Sequence, residues 1–307
     1  MSRMQTQSGA DKGKTMTDNT TEELLELARQ RIAERHVQEQ QQREKARIER
    51  GRSWGAVFLG IAGALILALL FTPGMPLEWK MYAVVHGVCA QVHNIFLGGK
   101  QFPLCARNSG IYISVVITTL YVWARGRGRA GRIPPWPVAA VLGAFVLIMA
   151  LDGFNSMFLD MKAPYLYTPR NDVRTLTGMG MGITIAVMLM LIFNLALRQD
   201  VDRQQPILAG WLDLGALLVM NFLVLVAIYG NLSLMFWPLA AFAFLGITGV
   251  LYAVILLLVS LFMGYSGIVT NVRQLARPAV IALVPTGIVL ATFSFLRFWM
   301  EAQGLMG

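Results

Sequence analysis

The chain has 307 residues, of which 56% are hydrophobic and only 14% charged, with a formal net charge of +9. A soluble domain averages about 25% charged residues, and several runs here reach the roughly 20 apolar residues that span a bilayer's hydrocarbon core, so a soluble globular protein is excluded. Residues 1–52 hold 11 Lys+Arg against 9 Asp+Glu, and residues 53–307 hold 15 against 8, so most of the positive charge sits in loops beside apolar helices. That is the distribution of a polytopic membrane protein, and it offers no basic patch interleaved with aromatics for a nucleic acid.

Residues 1–20 are polar and poor in bulky apolar side chains, which predicts disorder. The first 50 residues also lack the short apolar core and cleavage site of a signal peptide, so insertion is expected to begin at the first membrane helix. From Thr20 to about Arg50 the pattern is that of a polar helix with a narrow stripe of Leu24, Ala28 and Ile32. Such a helix suits either a solvated, ion-paired surface or docking onto a partner through residues 21–50.

Ser53–Thr72 is the first predicted span, and Arg47, Arg50 and Arg52 before it place the N-terminus in the cytoplasm. Leu77–Phe96 is long enough to cross but carries Glu78, Lys80, His86, Gln91 and His93. The next span, 109–124, leads into the arginine-rich loop 125–132, which belongs in the cytoplasm only if 77–96 does not cross. An interfacial or re-entrant helix over 77–96 is therefore expected. Further spans are predicted at about 136–157, 176–197, 207–229, 235–263 and 278–299. The whole is an all-α transmembrane bundle of about seven crossings plus the interfacial helix, with the C-terminus extracytoplasmic. It divides into a tail (1–52), a four-helix membrane unit (53–197) and three further helices (198–307).

Ligand-type side chains concentrate between His86 and Tyr112. On a continuous helix His86, Cys89 and His93 stand at i, i+3 and i+7 and share one face. With Cys105 near in sequence, they suit zinc or another transition metal, although the spacing matches no strong zinc signature. A Cys89–Cys105 disulfide is the rival reading, and two buried thiols a third. Arg107, Arg170 and Arg174 lie on the outer side against the positive-inside bias, beside Asp152 and Asp160. Arginines at such depth pair with carboxylates or bind anionic groups, so Arg107–Asp152 or Arg174–Asp152 is expected to lock helices, or the set to line an anionic pocket.

Phe102-Pro103-Leu104-Cys105-Ala106-Arg107, followed by Gly110-Ile111-Tyr112, resembles the hallmark of an uncharacterised prokaryotic membrane family, domain of unknown function 2085. The family's pattern is Cys-His-Gln, then Pro-Leu-Cys-Ala-Arg-Cys-x-Gly-Ile-Tyr, an Asp-Gly at a helix end, and Asn-x-x-Arg-x-x-Thr-Gly. Here Cys89-Ala90-Gln91, Asp152-Gly153 and Asn171 through Gly178 stand at those places, so the resemblance covers about residues 81–190. It implies a prokaryotic cell (inner) membrane location. Gln91, Arg107, Asp152, Asn155, Asn171 and Arg174 are the candidate structural or anion-binding positions. Ala90 and Asn108 replace two of the family's Cys/His positions. No cofactor beyond that metal is expected.

Three functions follow as expectations. The first is a non-catalytic integral subunit or scaffold of a membrane assembly, partnered or self-associated through membrane helices and residues 21–50. The second is a transporter or lipid-handling protein with an outward polar pocket. The third is a metal- or thiol-dependent membrane enzyme, for which no catalytic motif appears.

Overall fold

The structure is a computed structural model that describes residues 53–88 and 93–304, together with scattered helical positions between 26 and 38. Two compact units result, Met1–Ser53 and Trp54–Gly307. In the first, the described positions Glu26 to Gln38 are helical and exposed, with Leu27 and Ile32 open to solvent. Residues 1–20, predicted to be disordered, and the rest of the polar tail helix lie outside the described residues.

The second unit is an all-α transmembrane bundle. Its helices are α1 (Ser53–Phe71), α2 (Leu77–Val85), α3 (Ala106–Ala124), α4 (Trp136–Asp160), α5 (Asn171–Leu197), α6 (Trp211–Tyr229), α7 (Phe236–Phe262) and α8 (Ala276–Ala302). Six are long and apolar enough to cross a membrane: α1, α4, α5, α6, α7 and α8. The seventh long helix, α3, has 19 residues, about 28 Å at the usual rise, and also runs from one end of the bundle to the other. It is more polar because it sits centrally against protein: Ser109, Ser114, Thr118 and Ile113 are all buried. Residues 198–307 add α6, α7 and α8 to the same compact unit.

Close helix approach explains the centre. A Cβ at Gly110 of α3 would lie 2.2 Å from the Thr175 carbonyl oxygen, and one at Gly178 of α5 would lie 2.3 Å from that of Arg107. Only hydrogen side chains let two backbones meet so closely, the small-residue mode of membrane helix packing. The glycine-rich start of α5 is thus the contact seam with α3.

One expected element takes another form. Instead of a helix over 77–96, α2 ends at Val85, a 3-10 turn follows at His86–Val88, and β1 (Asn94–Leu97) pairs antiparallel with β2 (Lys100–Cys105). Nine residues of α2 are too short to cross. Gly98 and Gly99 at φ 58° and 78° make the two-residue turn, which needs positive φ at both positions. Ile95, Leu97, Phe102 and Leu104 are buried against the bundle, while Phe96 faces out. β2 passes directly into α3, which puts Arg107 in that helix's first turn.

The hairpin, the 161–170 loop and the end of α8 share one end of the bundle: Gly98 N–H donates to Asn231 Oδ1 at 2.9 Å, and His86 meets Glu301 at 2.8 Å. The opposite end carries loops 125–135, 198–210 and 263–275. There β3 (Ala130–Arg132) pairs parallel with β4 (Asp202–Pro206). Asp213 is buried there and accepts hydrogen bonds from Arg127, from Tyr121 at 2.8 Å and from the Ala209 N–H at 2.6 Å.

Candidate functional site

The site lies at the hairpin end, where α3, α4 and α5 converge. Arg107 reaches across to α4 and donates to Asp152 Oδ2 from Nε at 3.1 Å and from Nη2 at 2.6 Å. The same Nη2 also donates to the Asp152 carbonyl at 3.1 Å and to Ser156 Oγ at 3.0 Å. Asp152 is 2% exposed and the Arg107 side chain 21%. The pair is mostly desolvated, and its remaining lone pairs are filled: Tyr167 donates to Oδ1 at 2.5 Å and Thr177 to Oδ2 at 3.2 Å.

Asn155 holds the loop that brings Tyr167 there. Its side-chain oxygen accepts from Leu166 N at 2.7 Å and its amide donates to the Tyr167 carbonyl at 2.8 Å. One amide therefore folds the loop back over α4, one turn from Asp152. Burial, then the bond to the Asp152 carboxylate, pushes the Tyr167 phenol up to about 12, so it stays a donor at any physiological pH.

Arg174 is placed differently. It is 4% exposed, and no carboxylate lies within ion-pair distance of it among the described residues. Among the described residues its guanidinium donates only to Ser156 Oγ at 3.4 Å and to Asn171 Oδ1 at 3.3 Å. Since Arg107 already takes Asp152, the buried charges of Arg107, Asp152 and Arg174 sum to one positive. Arg170 pairs with Asp172 at the surface, at 2.6 Å. Asn171 also donates to the Asn94 carbonyl, tying α5 to the hairpin at 3.4 Å.

His93, Leu159, Pro169, Arg170, Asn171, Asp172, Arg174 and Tyr229 line an open cleft of about 640 Å³ beside this network. His93 Nε2 is buried without a hydrogen-bond partner among the described residues. Burial, then the Arg174 charge, holds the imidazole below its ordinary range, with Asp160 pulling the other way. His93 is therefore a neutral ring facing cationic neighbours. Tyr229 OH meets Thr175 Oγ1 at 2.8 Å, fixing the α6 wall of the cleft.

The expected shared face of His86 and His93 is not formed, because α2 ends at Val85 and His93 stands directly before β1. His86 turns toward α8, stacked on Phe298 at 4.2 Å between ring centres and bonded to Glu301, which Arg297 also holds at 2.7 Å. His93 belongs to the cleft of α5 and α6. Cys105 is half-buried at the end of β2. Cys89 and Gln91 lie outside the described residues, and with them the Cys89–Cys105 disulfide. Among the described residues no three His, Cys, Asp or Glu side chains gather closely enough to hold a metal ion.

Asp152, Asn171 and Arg174 thus share one network with the Pro-Leu-Cys-Ala-Arg turn that opens α3. Residues 89–188 match the model of a family described as a predicted membrane protein, DUF2085. The DUF2085 segment contributes Arg107, Asp152, Asn155, Asn171 and Arg174, together with His93. Tyr229 and Glu301 come from helices beyond it. No curated protein and no solved structure matches the chain.

Tyr167, Ser156 and Tyr229 escaped the sequence reading. Tyr167 carried a usable signal, since it stands between Pro164 and Pro169 in a short loop that must fold back between two spans. Ser156 stands four residues after Asp152 and shares its helix face. Nothing in sequence brings Tyr229 to Thr175.

Proposed function

We propose that this chain is an integral membrane protein that binds an anionic ligand in an outward-facing polar cleft at headgroup level, in the manner of a lipid-handling protein. The observation that carries this is Arg174: a buried guanidinium without a carboxylate partner among the described residues, lining an open cleft. A buried charge is costly unless paired, and an anion from outside completes the pairing that Asp152 gives Arg107. The orientation belongs to the same proposal. Loop arginines 125, 127, 129, 132, 198, 203 and 273 crowd the end opposite the cleft, so that end is cytoplasmic by the positive-inside rule. The cleft then faces outward in a prokaryotic inner membrane.

The test is anion binding to the purified full chain, measured by calorimetry with wild type and Arg174→Gln. Saturable binding that the substitution abolishes supports the proposal; equal binding by both proteins sinks it.

A subunit or scaffold role draws support from α1, which touches the bundle at Phe58 against Tyr252 but has no fully buried residue in its most apolar stretch among the described residues. Stoichiometric partners retained in mild detergent and lost on deleting residues 21–50 would favour that role over a solitary ligand-binding protein.

A further inference from the structure

We propose that the group bound between His93 and Arg174 is a phosphate, an inference that rests on the anion-binding reading above. The donors come from separate chain segments and point into one space. Arg174 offers five N–H donors, of which two are accepted by protein oxygens among the described residues, both at long distance. His93 adds a buried, unpartnered Nε2 from the segment before β1. Arg170 stands at the rim with a side chain 72% exposed.

A carboxylate is planar and is satisfied by one guanidinium fork. A phosphate presents three or more oxygens in different directions, which fits an arginine, a neutral imidazole and a second arginine converging from separate segments. Asp172, in the cleft wall itself, and Asp160 nearby are the opposing charges. Asp172 is engaged by Arg170, while Asp160 is exposed to water and forms no ion pair among the described residues. The buried balance stays at one positive charge, which suits a singly charged phosphodiester or a dihydrogen phosphate ion.

The surroundings place such a group at headgroup depth. Trp79, Phe96, Trp237 and Trp299 are exposed at this end, as an aromatic belt requires. Leu159 and Pro169 supply an apolar wall to the cleft, and Leu166 beyond it is 83% exposed. Lipid headgroups and free phosphate share the recognised chemistry, so the experiment separates them.

The full chain, delipidated in non-ionic detergent, is titrated with four probes: phosphatidylglycerol, inorganic phosphate, acetate, and diacylglycerol with the same acyl chains. Native mass spectrometry reads lipid binding and calorimetry reads the soluble ions. The expected result is one saturable phosphate-bearing ligand per chain, weakened about tenfold or more in Arg174→Gln. Arg170→Gln, altered at an exposed rim that the fold does not need, weakens it less but measurably. Phosphatidylglycerol binding without inorganic phosphate binding assigns the group to a lipid; competition between the two assigns the site to phosphate from either source. Diacylglycerol binding as well as phosphatidylglycerol overturns the inference, as does binding indifferent to both substitutions. Acetate binding lost in Arg174→Gln, with neither phosphate bound, overturns the phosphate assignment and leaves the anion cleft standing. No binding of any probe overturns both.

Discussion

Replacing Asp152 by Asn keeps the side chain's shape and removes its charge. Four donor contacts converge on the two carboxylate oxygens: two from Arg107, one from Tyr167 and one from Thr177. The amide retains one acceptor oxygen, so Arg107 is left charged, mostly desolvated and held only by neutral groups. Removing one partner of a fully buried pair costs about 3–5 kcal/mol, and the fractional exposure of Arg107 points to the lower end, about 3 kcal/mol. Arg107→Met should cost a similar amount, because it strands the 2%-exposed carboxylate of Asp152. The double replacement Arg107→Met with Asp152→Leu leaves no unpaired charge and should cost no more than either single change. Unfolding in mixed maltoside and dodecyl sulfate micelles, followed by tryptophan fluorescence, supplies the four corners of the cycle. A double-variant loss equal to the sum of the single losses would refute the coupling. So would an Asp152→Asn protein within about 0.5 kcal/mol of wild type, the range of ordinary surface substitutions.

Gly178→Ala should destabilise by about 3 kcal/mol, the upper range for overpacking, because its Cβ meets the Arg107 backbone; Gly153→Ala, which meets open space, should be neutral or slightly stabilising in the same assay. Tyr167→Phe removes one neutral donor and should cost about 0.6 kcal/mol, typical of a polar contact in a membrane bundle. His93 is held below its ordinary range when folded, so the unfolded chain takes up a proton first as pH falls. Its contribution to stability is therefore full above about pH 6.5 and is lost as pH drops below that value; His93→Gln should flatten this part of the melting-temperature profile. In a background lacking native cysteines, Leu166→Cys should react with an impermeant maleimide on intact cells, and Arg203→Cys only after permeabilisation; the reverse pattern would invert the orientation.

Much of the bundle was legible because lipid imposes a simple code. Spans with lipid-facing sides must be apolar over their length, so α1, α4, α6, α7 and α8 stand out from the charged or Pro/Gly-rich loops between them. The segment 77–96 was harder. Its failure to cross followed from the charge of the 125–132 loop, but its ending as a hairpin did not follow from periodicity. The Gly98-Gly99 pair between Asn94–Leu97 and Lys100–Cys105 was the available signal for a two-residue turn. The network itself was half legible. Arginines against the positive-inside bias marked Arg107 and Arg174 as candidates for Asp152. Which one takes it depends on the side-by-side start of α3 and α5, which tertiary packing alone determines. The alignment of His86 with His93 required an unbroken helix, so it was lost because α2 ends at Val85 and β1 begins at Asn94.

The polarity of α3 also bears on how the protein is made. A helix that opens with Arg107, Asn108 and Ser109 and buries Ser114 and Thr118 is a poor guest for lipid on its own. Its carboxylate partner lies 45 residues downstream on α4, and its tightest neighbour, α5, follows later still. During synthesis α3 is made before either of them. Its secure place in the bilayer therefore waits on the two helices that follow, and the three are best regarded as a single insertion unit, completed when Gly178 closes on Arg107.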